Sequence, residues 1–174
     1  MKPTVCVLVA AASLALLSSA AQAQNVTDPQ IASIVVTANQ VDIDAGKLAE
    51  SQASSPEVKA FGKQMVTDHT GVNKQATELV TRLKVKPEDN ATSKSLASGG
   101  EDNLKQLKQL KGAAFDRAYV DHEVAYHQQV LDAVDKTLIP NAQNADLKAL
   151  LVKVRPAFVA HLEHAKHLQS SLTK

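Results

Sequence analysis

Apolar residues recur at steps of three and four along four long stretches of this chain. Over about 28–53 they are Ile31, Ile34, Val35, Ala38, Val41, Ala45, Leu48 and Ala49. Over about 56–84 they are Val58, Phe61, Met65, Val72, Ala76, Leu79 and Leu83. Over about 113–138 they are Phe115, Tyr119, Tyr126, Val130, Val134 and Leu138, and over about 144–172 they are Leu147, Leu151, Val154, Phe158, Leu162, Ala165 and Leu168. Successive helical residues turn by about 100°, so this spacing draws one apolar stripe down each helix. No stretch alternates with period two between turn residues, so the pattern predicts an all-α chain.

Turn and cap residues divide the stretches. Asp28-Pro29 and Ser55-Pro56 each read as an N-cap followed by proline at the first helical position. Pro87 marks a stop, Ser98-Gly99-Gly100 reads as a hinge or cap, and Gly112 separates a short helix from a long one. Pro140 ends the third long stretch and Asn144 can cap the fourth. Pro156 lies within the fourth, where it removes one hydrogen bond and should bend the helix. Residues 85–111 are more polar and carry a short amphipathic helix with Leu104, Leu107 and Leu110. The first two long helices are joined tightly, as are the last two, so each pair should form an antiparallel hairpin. The middle connection is long enough to run the length of a helix. The expected architecture is therefore a ferritin-like four-helix bundle with one long crossover that carries the short extra helix. An up-down-up-down order with the short helix laid across one end is the alternative topology.

The first residues change the picture of where this bundle works. Lys2, the apolar run from Val5 to Leu17, and Ala21-Gln22-Ala23 have the three parts of a secretory signal peptide, with cleavage expected after Ala23. The expectation is a leader at 1–23 and a single bundle domain at 24–174, periplasmic or secreted. The run is too short for a membrane anchor, and no second apolar run follows, so the mature chain should hold no integral span. The sole cysteine, Cys6, falls in the leader, so the mature chain has no disulfide and rests on its core.

Charge and aromatic content exclude some functions. Lys2 is the only charged residue of the leader, so the 19 basic residues become 18 against 18 acidic ones. No basic field for nucleic acid or anionic lipid results. The chain has no Trp, two Tyr and three Phe, too few for base-stacking platforms. A protein partner or a second copy of the chain is the partner class left open. There is no Gly-rich phosphate loop, and the mature chain has no thiol nucleophile.

The stripes are interrupted by polar residues near mid-helix: Asp42, His69, Glu123 with His127, and His161. Ionisable groups cost free energy in a core unless they are paired or bind something. By helical rotation Asp42 and Glu123 face inward, Asp44 points away, and Asp68 and His69 flank the stripe centre from opposite sides. His122 and His164 lie at stripe margins, and His167 faces water. Counted from the two tight turns, Asp42 is nearly level with His69, and Glu123 with His161. The two pairs could thus converge across the core.

The mature chain also resembles the bacterial exported family named domain of unknown function 4142, regarded as ferritin-like. The resemblance is carried by residues 42–49, 58–69 and 112–119, with His127, Pro156 and His161-Leu162. Where the family usually shows Glu, this chain has Asp42 and Asp44. The resemblance implies fold and export and no established activity.

Three readings of the polar positions follow. The five residues could hold one divalent metal, with Zn, Fe, Mn or Cu(II) suited to imidazole and carboxylate donors. The ferritin di-iron pattern is not met, because no Glu-x-x-His occurs, and a mononuclear site is the better metal reading. His122 and His127 are five apart and fail the zincin spacing. Alternatively, Asp42 bonds His69, and Glu123 pairs with His161 or Tyr119, in a buried network that fixes helix register. Acid–base catalysis is the third reading. At the level of function, a non-enzymatic envelope or stress module acting through protein contacts stands first, and a metal-binding or metal-dependent oxidase-type bundle is the alternative.

Overall fold

The apolar stripes become the inward faces of long helices. The computed structural model describes residues 25–172, so the leader expected at 1–23 lies outside the described residues. Five helices follow one another: α1 (Asp28–Gln52), α2 (Pro56–Leu83), α3 (Ala91–Leu107), α4 (Gly112–Ala133) and α5 (Ala145–Leu172). The α4 helix runs on through a π-helical turn, Val134–Leu138, and a last helical piece, Ile139–Asn141. Among the described residues there is no strand, and the protein is all-α.

Most cap expectations hold, with one displaced. Ser55 accepts the Val58 N–H at 3.3 Å, and Asn144 accepts those of Asp146 and Leu147 at 3.0 and 3.1 Å. The N-cap of α1, however, is Thr27 rather than Asp28. Asp28 is the first helical residue, and its carboxylate accepts the N–H groups of Gln143 and Asn144, both at 2.9 Å. A long-range pairing has taken the side chain that local propensity would use as a cap.

Such ties fix the helix directions. Asp28 holds the start of α1 to the α4–α5 turn. At the other end, Asp116 near the start of α4 accepts the N–H groups of Ser54 and Ser55 in the α1–α2 turn. The Glu88 N–H reaches the Pro29 carbonyl at 3.0 Å, so the crossover begins beside the start of α1. The α3 helix then returns along α1, and Leu107 joins Phe115 and Tyr119 in the core at the far end. Consequently α2 and α4 run parallel, with one long crossover between two antiparallel hairpins, the connectivity of ferritin-like bundles.

The Ser98-Gly99-Gly100 hinge is corrected: these residues lie inside α3. A β-carbon on Gly100 would stand 2.7 Å from Val41 Cγ2, so this glycine serves the close packing of α3 on α1. Gly46 and Gly62 play a similar part between α1 and α2. A β-carbon on Gly46 would stand 2.7 Å from the Gly62 carbonyl oxygen.

The core is layered along the bundle. Near the α1–α2 turn, Ala45, Ala49, Val58, Phe61, Met65, Phe115 and Tyr119 pack together. Towards the other end, Ile31, Ile34, Ala76, Leu79, Val134 and Leu151 form a second apolar cluster. Each large side chain so buried contributes about 1.5–3 kcal/mol. A polar layer occupies the middle, with apolar packing above and below.

Candidate metal centre

Four helices each send polar side chains into this layer. The α1 helix supplies Asn39 and Asp42, one turn apart. From α2 come Asp68 and His69, from α4 Glu123 and His127, and from α5 His161. Asp42, His69, Glu123, His127 and His161 are each 2% exposed or less. All five positions singled out in the sequence therefore meet in one dry region. One ring nitrogen from each of His69, His127 and His161 lies within 4.8 Å of the others, and donor atoms of Asp42, Glu123 and His127 meet the same criterion.

Each imidazole is gripped from outside by a different helix or turn. His69 Nδ1 lies 2.7 Å from Asn39 Oδ1, and Asn39 is itself anchored by donating Nδ2–H to the Val35 carbonyl at 2.8 Å. That anchor leaves Asn39 Oδ1 as acceptor, so His69 carries its proton on Nδ1. His127 Nδ1 lies 3.1 Å from the Glu123 carbonyl oxygen, an acceptor, so this nitrogen is also a donor. His161 Nε2 lies 2.9 Å from Asp68 Oδ2, a carboxylate, and again must donate. The remaining nitrogens, His69 Nε2, His127 Nε2 and His161 Nδ1, are buried without a protein partner.

The carboxylates stand close but are not saturated. Asp42 Oδ2 is 3.5 Å from His69 Nδ1, and Glu123 Oε2 is 3.4 Å from His127 Nδ1. These are ion-pair separations, longer than good hydrogen bonds. Asp42 Oδ1 and both Glu123 oxygens have no hydrogen-bond partner from the protein.

Burial and mutual charge set the protonation of the layer. Burial pushes the Asp42 carboxyl well above its usual range, the Glu123 charge adds to this, and His127 opposes it. His69 is pushed down to about 3 by burial, with the neighbouring His127 and His161 contributing. Burial would also lower His127, but the Glu123 and Asp42 carboxyls outweigh it and raise this imidazole to about 9. Burial would raise Glu123, yet the facing His122 and His127 hold it down at about 2. His161 is lowered by burial, which Asp68 partly offsets. At neutral pH His127 is thus an imidazolium beside the Glu123 carboxylate, and the His69 and His161 imidazoles are neutral.

Several pairings expected from the sequence are corrected. Glu123 faces His127 and His122, neither His161 nor Tyr119, because His161 is drawn to Asp68. His69 is hydrogen-bonded to Asn39, and Asp42 stands farther off. Three contributors were unassigned: Asn39, Asp68 as a partner of His161, and His122, whose Nδ1 lies 4.0 Å from Glu123 Oε1. His164 and His167 are exposed and stay outside the cluster, and His164 instead meets Gln64 at 3.2 Å.

These features define an all-α bundle with a buried set of nitrogen and oxygen donors. The chain belongs to the family described as domain of unknown function DUF4142, whose family model matches residues 14–168. No curated protein matches the chain. A solved structure, CopM in the Cu(II)-bound form, is similar in fold, with a TM-score of 0.66 over 83% of this chain and 97% of that one. The two sequences are 16% identical, so the likeness speaks for the fold alone.

Proposed function

We propose that this protein is an exported metal-binding bundle that holds one transition-metal ion through His69, His127 and His161, with Asp42 and Glu123 beside it. The observation that carries this reading is the state of the three imidazoles. Each has one ring nitrogen engaged as a donor and the other without a protein partner, which is how metal-binding histidines are oriented by their neighbours.

A network that only fixed register would be expected to satisfy its own atoms. Here seven buried atoms of Asp42, His69, His122, Glu123, His127 and His161 lack a partner. Each such atom costs about 1–3 kcal/mol. A cation at the three unengaged ring nitrogens recovers the part of that cost that falls on them, and a metal bound there displaces the His127 proton. Imidazole and carboxylate donors suit Cu(II), Zn, Fe or Mn. Cu(II) stands first for testing, given the Cu(II)-bound state of CopM.

Export rests on the leader pattern of residues 1–23. Among the described residues no helix is long and apolar enough to cross a membrane. We assign no reaction to the site, and an envelope or stress role through protein contacts is compatible with it.

The test is elemental analysis of protein purified without a His tag, before and after exposure to Cu(II), Zn, Fe(II) or Mn(II). About one ion per chain is expected, lost in His69→Ala and His161→Ala. No bound metal, with stability unchanged on adding each ion, overturns the reading.

A further inference from the structure

A pocket of about 70 Å³ lies between α1, α3, α4 and α5, with Asp42 and His69 in its wall. Ile34, Val35, Leu151, Val154 and Phe158 line it, so its wall is largely apolar. Its outer end carries Thr92 and Gln129, both exposed. The π-helical turn contributes Val134 and Leu138 to the same wall. Turns of this kind are rare and are found often at functional sites.

Size and polarity restrict what can occupy this space. An apolar cavity of about 150 Å³ holds benzene, and a pocket of half that volume is too small for an aromatic ring. Water is a poor occupant, since an ordered water needs two to four polar partners. Along most of the wall there are none. The unpartnered polar atoms, Asp42 Oδ1 and His69 Nε2, stand only where the pocket meets the polar layer, and Asn39 already spends its amide on Val35 and His69. The apolar stretch lined by Ile34, Val35, Leu151, Val154 and Phe158 therefore suits a small apolar molecule.

We propose that this pocket is a binding site for an apolar molecule of dioxygen's size, held against the Asp42–His69 side of the polar layer. The proposal goes beyond metal binding, and its test needs no bound ion. Apolar pockets this close to a donor cluster give a small neutral ligand a place beside the ion without displacing a histidine.

The experiment is methyl NMR of the purified, metal-free protein under pressurised dioxygen, with nitrogen as the diamagnetic reference. Dissolved dioxygen is paramagnetic and relaxes the methyl groups it dwells beside. Ile34, Val134, Leu138 and Leu151 should relax several-fold faster than Val58 and Met65, which are buried at the other end of the core. Ala38→Leu and, separately, Ala133→Leu narrow the pocket and should abolish the difference. Xenon at moderate pressure should shift the same methyl signals. Equal relaxation of the two sets, or a difference that survives in both folded variants, overturns the proposal. Should both variants fail to fold, the comparison within the unaltered protein decides alone. Because the readout is taken without metal, its failure is separate from a failure to bind ions.

Discussion

Asp116 and Glu123 lie two turns apart on α4, and both are buried, at 2% and 0% exposed. Their surroundings are opposite. Asp116 accepts the Ser54 and Ser55 N–H groups, each at 2.8 Å, together with the Ser54 hydroxyl, and so locks the α1–α2 turn to the start of α4. Glu123 has no hydrogen-bond donor on either oxygen, only imidazoles at ion-pair distance. Burial alone therefore does not distinguish the two carboxylates. What separates the two is unspent hydrogen-bonding capacity. Asp116 is saturated by hydrogen bonds from its own chain, whereas Glu123 is met only by the imidazoles of His122 and His127 at ion-pair distance.

The largest expected effect tests the structural side. Asp116→Ala removes three hydrogen bonds to a charged acceptor and leaves two backbone donors near the α1–α2 turn unpaired. A loss of about 3 kcal/mol or more in urea unfolding is expected. Metal content should be unchanged. The variant should also keep the stabilisation by bound ion, about 2.7 kcal/mol at an ion concentration 100 times Kd. If that gain vanished with Asp116, the two carboxylates would belong to one system and the contrast would fail.

The contrast was only half visible in the sequence. Rotation by 100° per residue placed Asp42, His69, Glu123, His127 and His161 inside their stripes, because inward position is a local property of a regular helix. Pairing is not local. His161 meets Asp68 from a helix 93 residues earlier, and Asp116 reaches a turn 61 and 62 residues before it. Asn39 reads as an ordinary polar residue until His69 is set beside it. The Gly99-Gly100 pair reads as a break in any sequence, and only the nearness of Val41 shows that α3 continues through it. The π-helical turn likewise has no period that would reveal it.

A smaller effect tests the outer grip on the imidazoles. Removing the partner that orients a metal-binding histidine typically weakens affinity 10–100-fold. Asn39→Ala should lie in that range, about 1.4–2.7 kcal/mol, measured by competition against a chromophoric chelator. Asp68→Ala should cost less, because its side chain is 41% exposed and water can take its place. Equal affinity in all three proteins would show that neighbours do not set the inner nitrogens, and the resemblance of this layer to a metal centre would lose its basis.

The last effect is a reversal of pH dependence, and it follows from which state holds the protons. In the metal-free fold His127 is raised to about 9, and Asp42 is raised well above its ordinary value. The unfolded chain releases the corresponding protons near pH 6.5 and 4. Stability from His127 is complete below about pH 6.5 and is lost as pH rises through about 9. Asp42 contributes with the same sign from lower pH. Metal-free stability should therefore fall between pH 6.5 and 8.5, by about 1 kcal/mol per pH unit. His69, held down at about 3, acts oppositely and only below about pH 6.5, where the unfolded chain takes up a proton that the fold refuses. With saturating metal the ion stands in for the protons, and binding strengthens as protons become scarcer. Stability of the loaded protein should then rise over the same interval. Urea unfolding at pH 6.5, 7.5 and 8.5, with chelator and with metal, measures both slopes. Asp116→Ala should lower both curves by a constant amount, since its hydrogen bonds lie outside the polar layer. Parallel slopes with and without metal would mean that no proton is exchanged for the ion, and that Glu123 and His127 are a closed pair, as self-contained as Asp116 and its serines.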